Sequence, residues 1–207
     1  MTNSIRYFVG NWKMFGVPSS YRIIEKIHRY LKKDKKNNKK YKIVIAPPFT
    51  LLQEFSKKFR NKKISISAQN CHHKDNFGAY TGHVSPLMIK SLGVKYIILG
   101  HSENRSIGEN NKLINLKIRS ALKSGLKVIF CIGETLKEKR KKITYSVLNR
   151  QINKGLKKIK NYKNILIAYE PVWSIGTGII PKDRELEKNI SKIQKIISRK
   201  TRIKLPI

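Results

Sequence analysis

Six short apolar runs divide this chain at regular intervals, and most of them are followed by a stretch with helical periodicity. That alternation leaves few folds open. The runs are 7–9, 43–46, 64–68, 96–99, 128–132 and 165–169. Between them, Ile23, Ile24, Ile27, Tyr30 and Leu31 fall on one helical stripe, and Leu51, Leu52, Phe55 and Phe59 on another. Ser85-Pro86, then Leu87, Met88 and Leu92 before Gly93, reads as a short helix with a cap, a proline in its first turn and a glycine stop. Leu113, Ile114, Ile118, Ala121 and Leu122 form a stripe ending at Gly125. Ile143, Val147 and Ile152 lie on a less regular segment, and Leu186, Ile190, Ile193, Ile196 and Ile197 form the last stripe. Residues 32–42 read as a helix-to-strand loop. Residues 202–207 read as the start of a seventh strand, with Pro206 expected to interrupt ladder pairing. Apolar strands separated by helices imply an α/β fold, a parallel sheet covered by helices.

Periodicity alone does not separate an open doubly wound sheet from a closed barrel. The loops do. Polar and glycine-rich segments follow strands one, three, four, five and six. Function spread over many strand ends is the habit of a (β/α)8 barrel, whereas an open sheet concentrates its site at one switch point. The expected architecture is therefore a barrel, with residues 1–207 as a single domain.

Composition narrows the functions. No apolar run approaches the ~20 residues of a membrane span. The N-terminus shows no basic start leading into an apolar core, so no signal peptide is read. Cys71 and Cys131 lie far apart, and reduced thiols in a cytoplasmic protein are the simplest reading. The net charge of +34 raises the question of nucleic acid. Most of the 46 basic residues are lysine, however, and they are scattered. Arginine is the better fork for phosphates and base edges. A solvated basic surface is preferred over a nucleic-acid site, and such a field also favours a small anionic substrate.

The strand ends carry the chemistry. Gly10-Asn11-Trp12-Lys13-Met14 puts a lysine where it can hold a phosphate or a developing oxyanion. After strand three come Gln69-Asn70-Cys71-His72-His73 and a long loop through residues 77–82. Adjacent histidines project differently and no third ligand has obvious spacing, so no metal is expected. His101 follows strand four, and Cys131, after strand five, reads as packed rather than nucleophilic. After strand six, Glu170-Pro171-Val172-Trp173-Ser174-Ile175-Gly176-Thr177-Gly178 reads as a carboxylate under a hinged lid. A carboxylate base beside a neutral electrophile suits proton transfer next to a carbonyl. No Walker loop, dinucleotide fingerprint or nucleophile elbow is present.

Taken together, segments 10–14, 67–82, 99–109 with 130–135, and 168–178 resemble the triosephosphate isomerase family in order and spacing. The Asn11-Trp12-Lys13 and Glu170 segments are highly specific. The roles that follow come with the resemblance. It implies Glu170 as the base, His101 as the neutral electrophile and Lys13 as the stabiliser of negative charge. Asn11 and Lys13 would bind substrate, with Gly176 offering a backbone N–H to its phosphate and Glu103 supporting the lysine. The reaction implied interconverts dihydroxyacetone phosphate and glyceraldehyde 3-phosphate through an enediolate, in glycolysis and gluconeogenesis, in the cytoplasm. It needs no metal or cofactor. The implied partners are the triose phosphate and a second copy of the chain, docked through the 77–82 loop. Asn104 stands where the family usually has arginine. The 105–109 segment looks one residue short, which bears on the support behind His101. The resemblance also implies a C-terminally incomplete TIM barrel of about six and a half β/α units. The family's phosphate loops after strands seven and eight have no counterpart here, so the polypeptide alone is expected to turn over poorly. Two alternatives stand beside the enzyme: a catalytically impaired remnant, and a basic nucleic-acid-binding protein on the same scaffold.

Overall fold

All strands of the sheet point the same way, and their order in space is their order in the chain. In the computed structural model, which describes residues 5–33, 41–60, 63–201 and 205–207, the strands are β1 Arg6–Asn11, β2 Tyr41–Ala46, β3 Ile64–Ala68, β4 Tyr96–Leu99, β5 Lys127–Ile132 and β6 Ile165–Tyr169. They pair in parallel as β1-β2-β3-β4-β5-β6, and the sheet curls into part of a TIM barrel. The helices are α1 Tyr21–Lys33, α2 Phe49–Lys58, α3 Pro86–Ser91, α4 Ser102–Ser106, α5 Asn111–Lys123, α6 Leu136–Arg140, α7 Thr144–Gly155 and α8 Asp183–Thr201.

From β2 to β6 the strand side chains alternate between two cores, as a period of two requires, while β1 is largely exposed. Val44, Ala46, Tyr96, Ile98, Ile129, Cys131 and Leu166 pack on the inner face. Their neighbours Ile45, Ile97, Leu99, Val128, Phe130, Ile132, Ile165 and Ile167 pack outward with the helices, against Ile24, Phe55, Ile114, Ile118, Leu148 and Ile193 among others. Runs that are apolar on both faces are thus explained by two buried surfaces rather than one.

Three strands start earlier than their apolar runs. Arg6 pairs with Tyr41, and Tyr96 pairs with Lys127, because a ladder needs backbone and not apolar side chains at its rim. Ser85 caps α3 as expected, its Oγ accepting the Met88 N–H at 3.2 Å. The irregular 143–152 stripe has a simple cause. Two helices, α6 and α7, meet there, and Lys142 at φ +57° makes the turn. In α8 the buried face is Asn189, Ile193, Ile196 and Ile197, so a polar residue occupies a position between the expected Leu186 and Ile190. Most of the 32–42 loop and the 202–204 part of the expected seventh strand lie outside the described residues. The Ile167 N–H donates to the Pro206 carbonyl at 2.9 Å, the acceptor that proline keeps, but residues 205–207 form no strand and the described sheet has six, as a residue without a donor would lead one to expect.

Candidate active site

A parallel sheet brings all its C-terminal strand ends to one rim, and every expected reactive group lies there. At the end of β1, Lys13 has φ +52°, a left-handed conformation that costs a non-glycine residue about 1–2 kcal/mol. Its neighbours hold it there. The Lys13 N–H donates to Asn11 Oδ1 at 3.0 Å, and Gln69 Nε2 donates to the Lys13 carbonyl at 2.9 Å and to the Ala46 carbonyl at 2.8 Å. The ammonium lies 2.8 Å from Glu103 Oε1.

His101, after β4, is the N-cap of α4. Its Nδ1 accepts the Glu103 N–H at 3.3 Å, which assigns the ring proton to Nε2. Nε2 faces Glu170 Oε2 at 3.2 Å. Burial pushes the His101 pKa down and Lys13 adds to this, while Glu103 opposes it. The imidazole is therefore neutral near pH 7, and its 3.2 Å contact with Glu170 is not an ion pair.

Glu170 is raised to about 7, mainly by burial, with the Ser102 N–H, Arg105 and Lys13 pulling the other way. Its Oε1 accepts the Ser102 N–H at 2.7 Å. The support expected to suffer from Asn104 is supplied by Arg105. Its guanidinium donates to the Gly100 carbonyl at 2.7 Å, Asn111 Oδ1 at 2.8 Å and the Cys131 carbonyl at 3.1 Å, tying the ends of β4 and β5 together. Burial pushes the Cys131 thiol well up, which suits packing and not nucleophilic chemistry.

The ends of β5 and β6 approach so closely that only glycine fits between them. A Cβ on Gly133 would stand 1.8 Å from the Glu170 carbonyl oxygen. Gln151 on α7 satisfies both backbone groups of Gly133, accepting its N–H and donating to its carbonyl, each at 2.9 Å. Glu134 is fully buried. It accepts the Tyr169 hydroxyl at 3.1 Å and Trp173 Nε1 at 2.9 Å, while Asn189 Nδ2 donates to the Tyr169 oxygen at 2.9 Å. Val172–Ser174 forms a 3-10 turn, after which Gly176 and Gly178 take φ of +70° and +73°.

Asn11, Lys13 and His101 line one cavity of about 670 Å³ with Glu103, and Glu170 reaches it through His101. Gly176 stands apart, exposed in the segment above, with open space around its Cβ position. The rings of His72 and His73 lie 4.3 Å apart, tilted by 43°, and His83 lies 4.8 Å from His72. Among the described residues no group of three or more His, Cys, Asp or Glu is arranged to hold a metal ion. Sequence reasoning gave no role to Gln69, Arg105 or Gln151. Gln151 carries the clearest trace, a polar residue inside the apolar stretch of α7, but nothing local names its partner.

Comparison with known proteins gives a concordant result. The family model described as Triosephosphate isomerase matches residues 6–205. A protein of Chlorobium phaeobacteroides (strain BS1) named triosephosphate isomerase is 42% identical over 176 residues, 82% of this chain and 67% of the relative. One of the same name from Thermodesulfovibrio yellowstonii is 40% identical over 185 residues, 89% and 74% respectively. Another, from Dictyoglomus thermophilum, is 40% identical over 199 residues, 93% and 77%.

Proposed function

Since this chain belongs to the triosephosphate isomerase family, we propose that it interconverts dihydroxyacetone phosphate and glyceraldehyde 3-phosphate with Glu170 as the proton shuttle. The observation that carries the proposal is the contact between Glu170 Oε2 and His101 Nε2 at 3.2 Å, with a lysine on the same cavity. Glu170 has a pKa of about 7, close to the operating pH that makes a carboxylate an efficient base. It leaves the Ser102 N–H, takes the proton from one substrate carbon and returns it to the next. Neutral His101 donates its Nε2 proton as a hydrogen bond to the substrate oxygens as the enediolate forms. Lys13 offsets the negative charge, Asn11 positions the Lys13 backbone and the substrate, and the Gly176 N–H meets the phosphate when the lid closes. Closure excludes water and strengthens these interactions. The reaction is a step of glycolysis and gluconeogenesis, and its setting is the cytoplasm.

The proposed assembly is a homodimer through the 77–82 loop. Phe77 at the loop tip, and Met14 and Phe15 beside the site, are large apolar side chains left exposed, the pattern expected of a docking surface. No described helix is long and apolar enough to cross a membrane.

Replacing Glu170 tests the base. Glu170→Ala is expected to lower kcat about 10²–10⁴-fold, the usual contribution of a general base, with the circular dichroism spectrum unchanged. Turnover equal to the parent would refute the assignment.

A further inference from the structure

Both ends of the lid are tied to the same side chain. Lys139, on α6 behind the loop after β5, places its Nζ 3.2 Å from the centroid of the Trp173 ring, three residues beyond Glu170. The same ammonium lies 2.7 Å from Glu185 Oε1 and 2.9 Å from Oε2. Glu185 stands in the first turn of α8, just past the other end of the lid. Trp173 is already held at its edge by Glu134, so the lysine addresses the open face of a ring that is fixed in position.

The base of this arrangement is firm. Thr135 and Glu138 form a reciprocal capping box at the start of α6, with Thr135 N–H to Glu138 Oε2 at 2.9 Å and Glu138 N–H to Thr135 Oγ1 at 3.3 Å. The lid between the two ends is bonded to itself: Thr177 Oγ1 donates to the Trp173 carbonyl at 3.0 Å and Ser174 Oγ to the Ile179 carbonyl at 2.8 Å. A stiff segment on two tethered ends moves as one body. A stiff segment with free ends frays, and the enediolate beneath it meets water.

We infer that Lys139 is a positioning residue for the isomerase reaction: its single ammonium clamps the entry of the lid through Trp173 and the exit through Glu185, so that the two hinges work as a coupled pair. This rests on reading Glu170 as the base and 171–182 as its lid. Lys139 does not touch Glu170. It acts through the ring and the carboxylate, and the coupling needs one cation shared by both.

The coupling gives a test that a merely structural lysine would not pass. Amide hydrogen exchange is measured across the full chain in Lys139→Met, Lys139→Arg and Glu185→Gln. In Lys139→Met, exchange at both lid ends is expected to rise about 3- to 30-fold, the span of one cation–π contact plus one half-exposed ion pair. Exchange in the strands stays unchanged. Lys139→Arg restores the parent pattern, because a guanidinium stacks and pairs in the same way. Glu185→Gln, an isosteric change at a half-buried position, should speed exchange at Trp173 as well as at its own end. In turnover, Lys139→Met should lower kcat/KM by a similar factor and raise the share of events that end in free phosphate. In such an event the enediolate electron pair expels the adjacent phosphate, the carbon–oxygen bond to phosphate breaks, and methylglyoxal remains after protonation. Exchange confined to the Glu185 end in Glu185→Gln, or a lid unchanged in Lys139→Met, overturns the inference. Parent-like turnover in Glu170→Ala would instead overturn the reading on which it rests.

Discussion

Glu170→Gln should make the protein more stable and inactive at once, and the gain should build as pH rises from about 4.5 to about 7 and level off above that. In the folded chain the carboxyl is raised from 4.5 to about 7, chiefly by burial. A raised carboxyl contributes stability that is fully present below pH 4.5 and is lost as pH rises through 7. At ~1.4 kcal/mol per pKa unit, the ionised group costs the fold about 3 kcal/mol at pH 8. Glutamine has the same shape and no charge to bury. Its Oε1 keeps the Ser102 N–H, now at 2.7 Å from the carboxylate. Its amide group, however, faces His101 Nε2 across a 3.2 Å contact, and two donors meeting there cost ~1 kcal/mol. The net gain is about 2 kcal/mol at pH 8, or ~4–8 °C in Tm for a chain of this size. Near pH 5 the parent carboxyl is protonated, and the variant should be no more stable, or slightly less. Calorimetric or circular dichroism melts of both proteins between pH 5 and 8.5 measure the difference directly. A difference that is flat with pH, or a variant less stable at pH 8, would refute the claim that burial of a charge sets the Glu170 pKa.

Other consequences follow from the same geometry. The kcat/KM of the parent should fall tenfold per pH unit below about 7, as the base takes up its proton; a profile level down to pH 5 contradicts this. Gly133→Ala forces apart the 1.8 Å approach to the Glu170 carbonyl, and expression with the near-UV spectrum and activity of the parent would show that the approach tolerates a methyl group. Gln151→Leu leaves the N–H and carbonyl of Gly133 without their partner, at a cost of ~2–4 kcal/mol for two buried groups, readable in urea denaturation. Phe77→Asp should shift the sedimentation coefficient towards the monomer while leaving secondary structure intact.

The sheet was legible because burial on two faces writes itself into sequence as unbroken apolar runs. The same runs do not say which residues face inward: Cys131 joins the inner core and Phe130 the outer one, and only the register separates them. Glu170, His101 and Lys13 could be read because each follows a strand directly, so chain order fixed their place on the rim. Gln69, Arg105 and Gln151 could not. They act by satisfying backbone groups of strand ends distant in sequence, as Arg105 does on Cys131, and no local pattern encodes such a partner. The seam between α6 and α7 was hidden for a different reason. Lys142 adopts a positive φ without the glycine or asparagine that normally announces it.

Lys13 also carries a constraint on how this site can change. Its backbone would relax if the position were glycine, and its amine would survive if the backbone were ordinary. No single substitution offers both, because the same Cβ that bears the amine creates the crowding. Lys13 thus depends on Asn11 and Gln69. Either one drifting first leaves a strained lysine with one support fewer, whereas a change of the lysine side chain leaves their backbone bonds in place. The dependence therefore runs one way, from the lysine to its two supports.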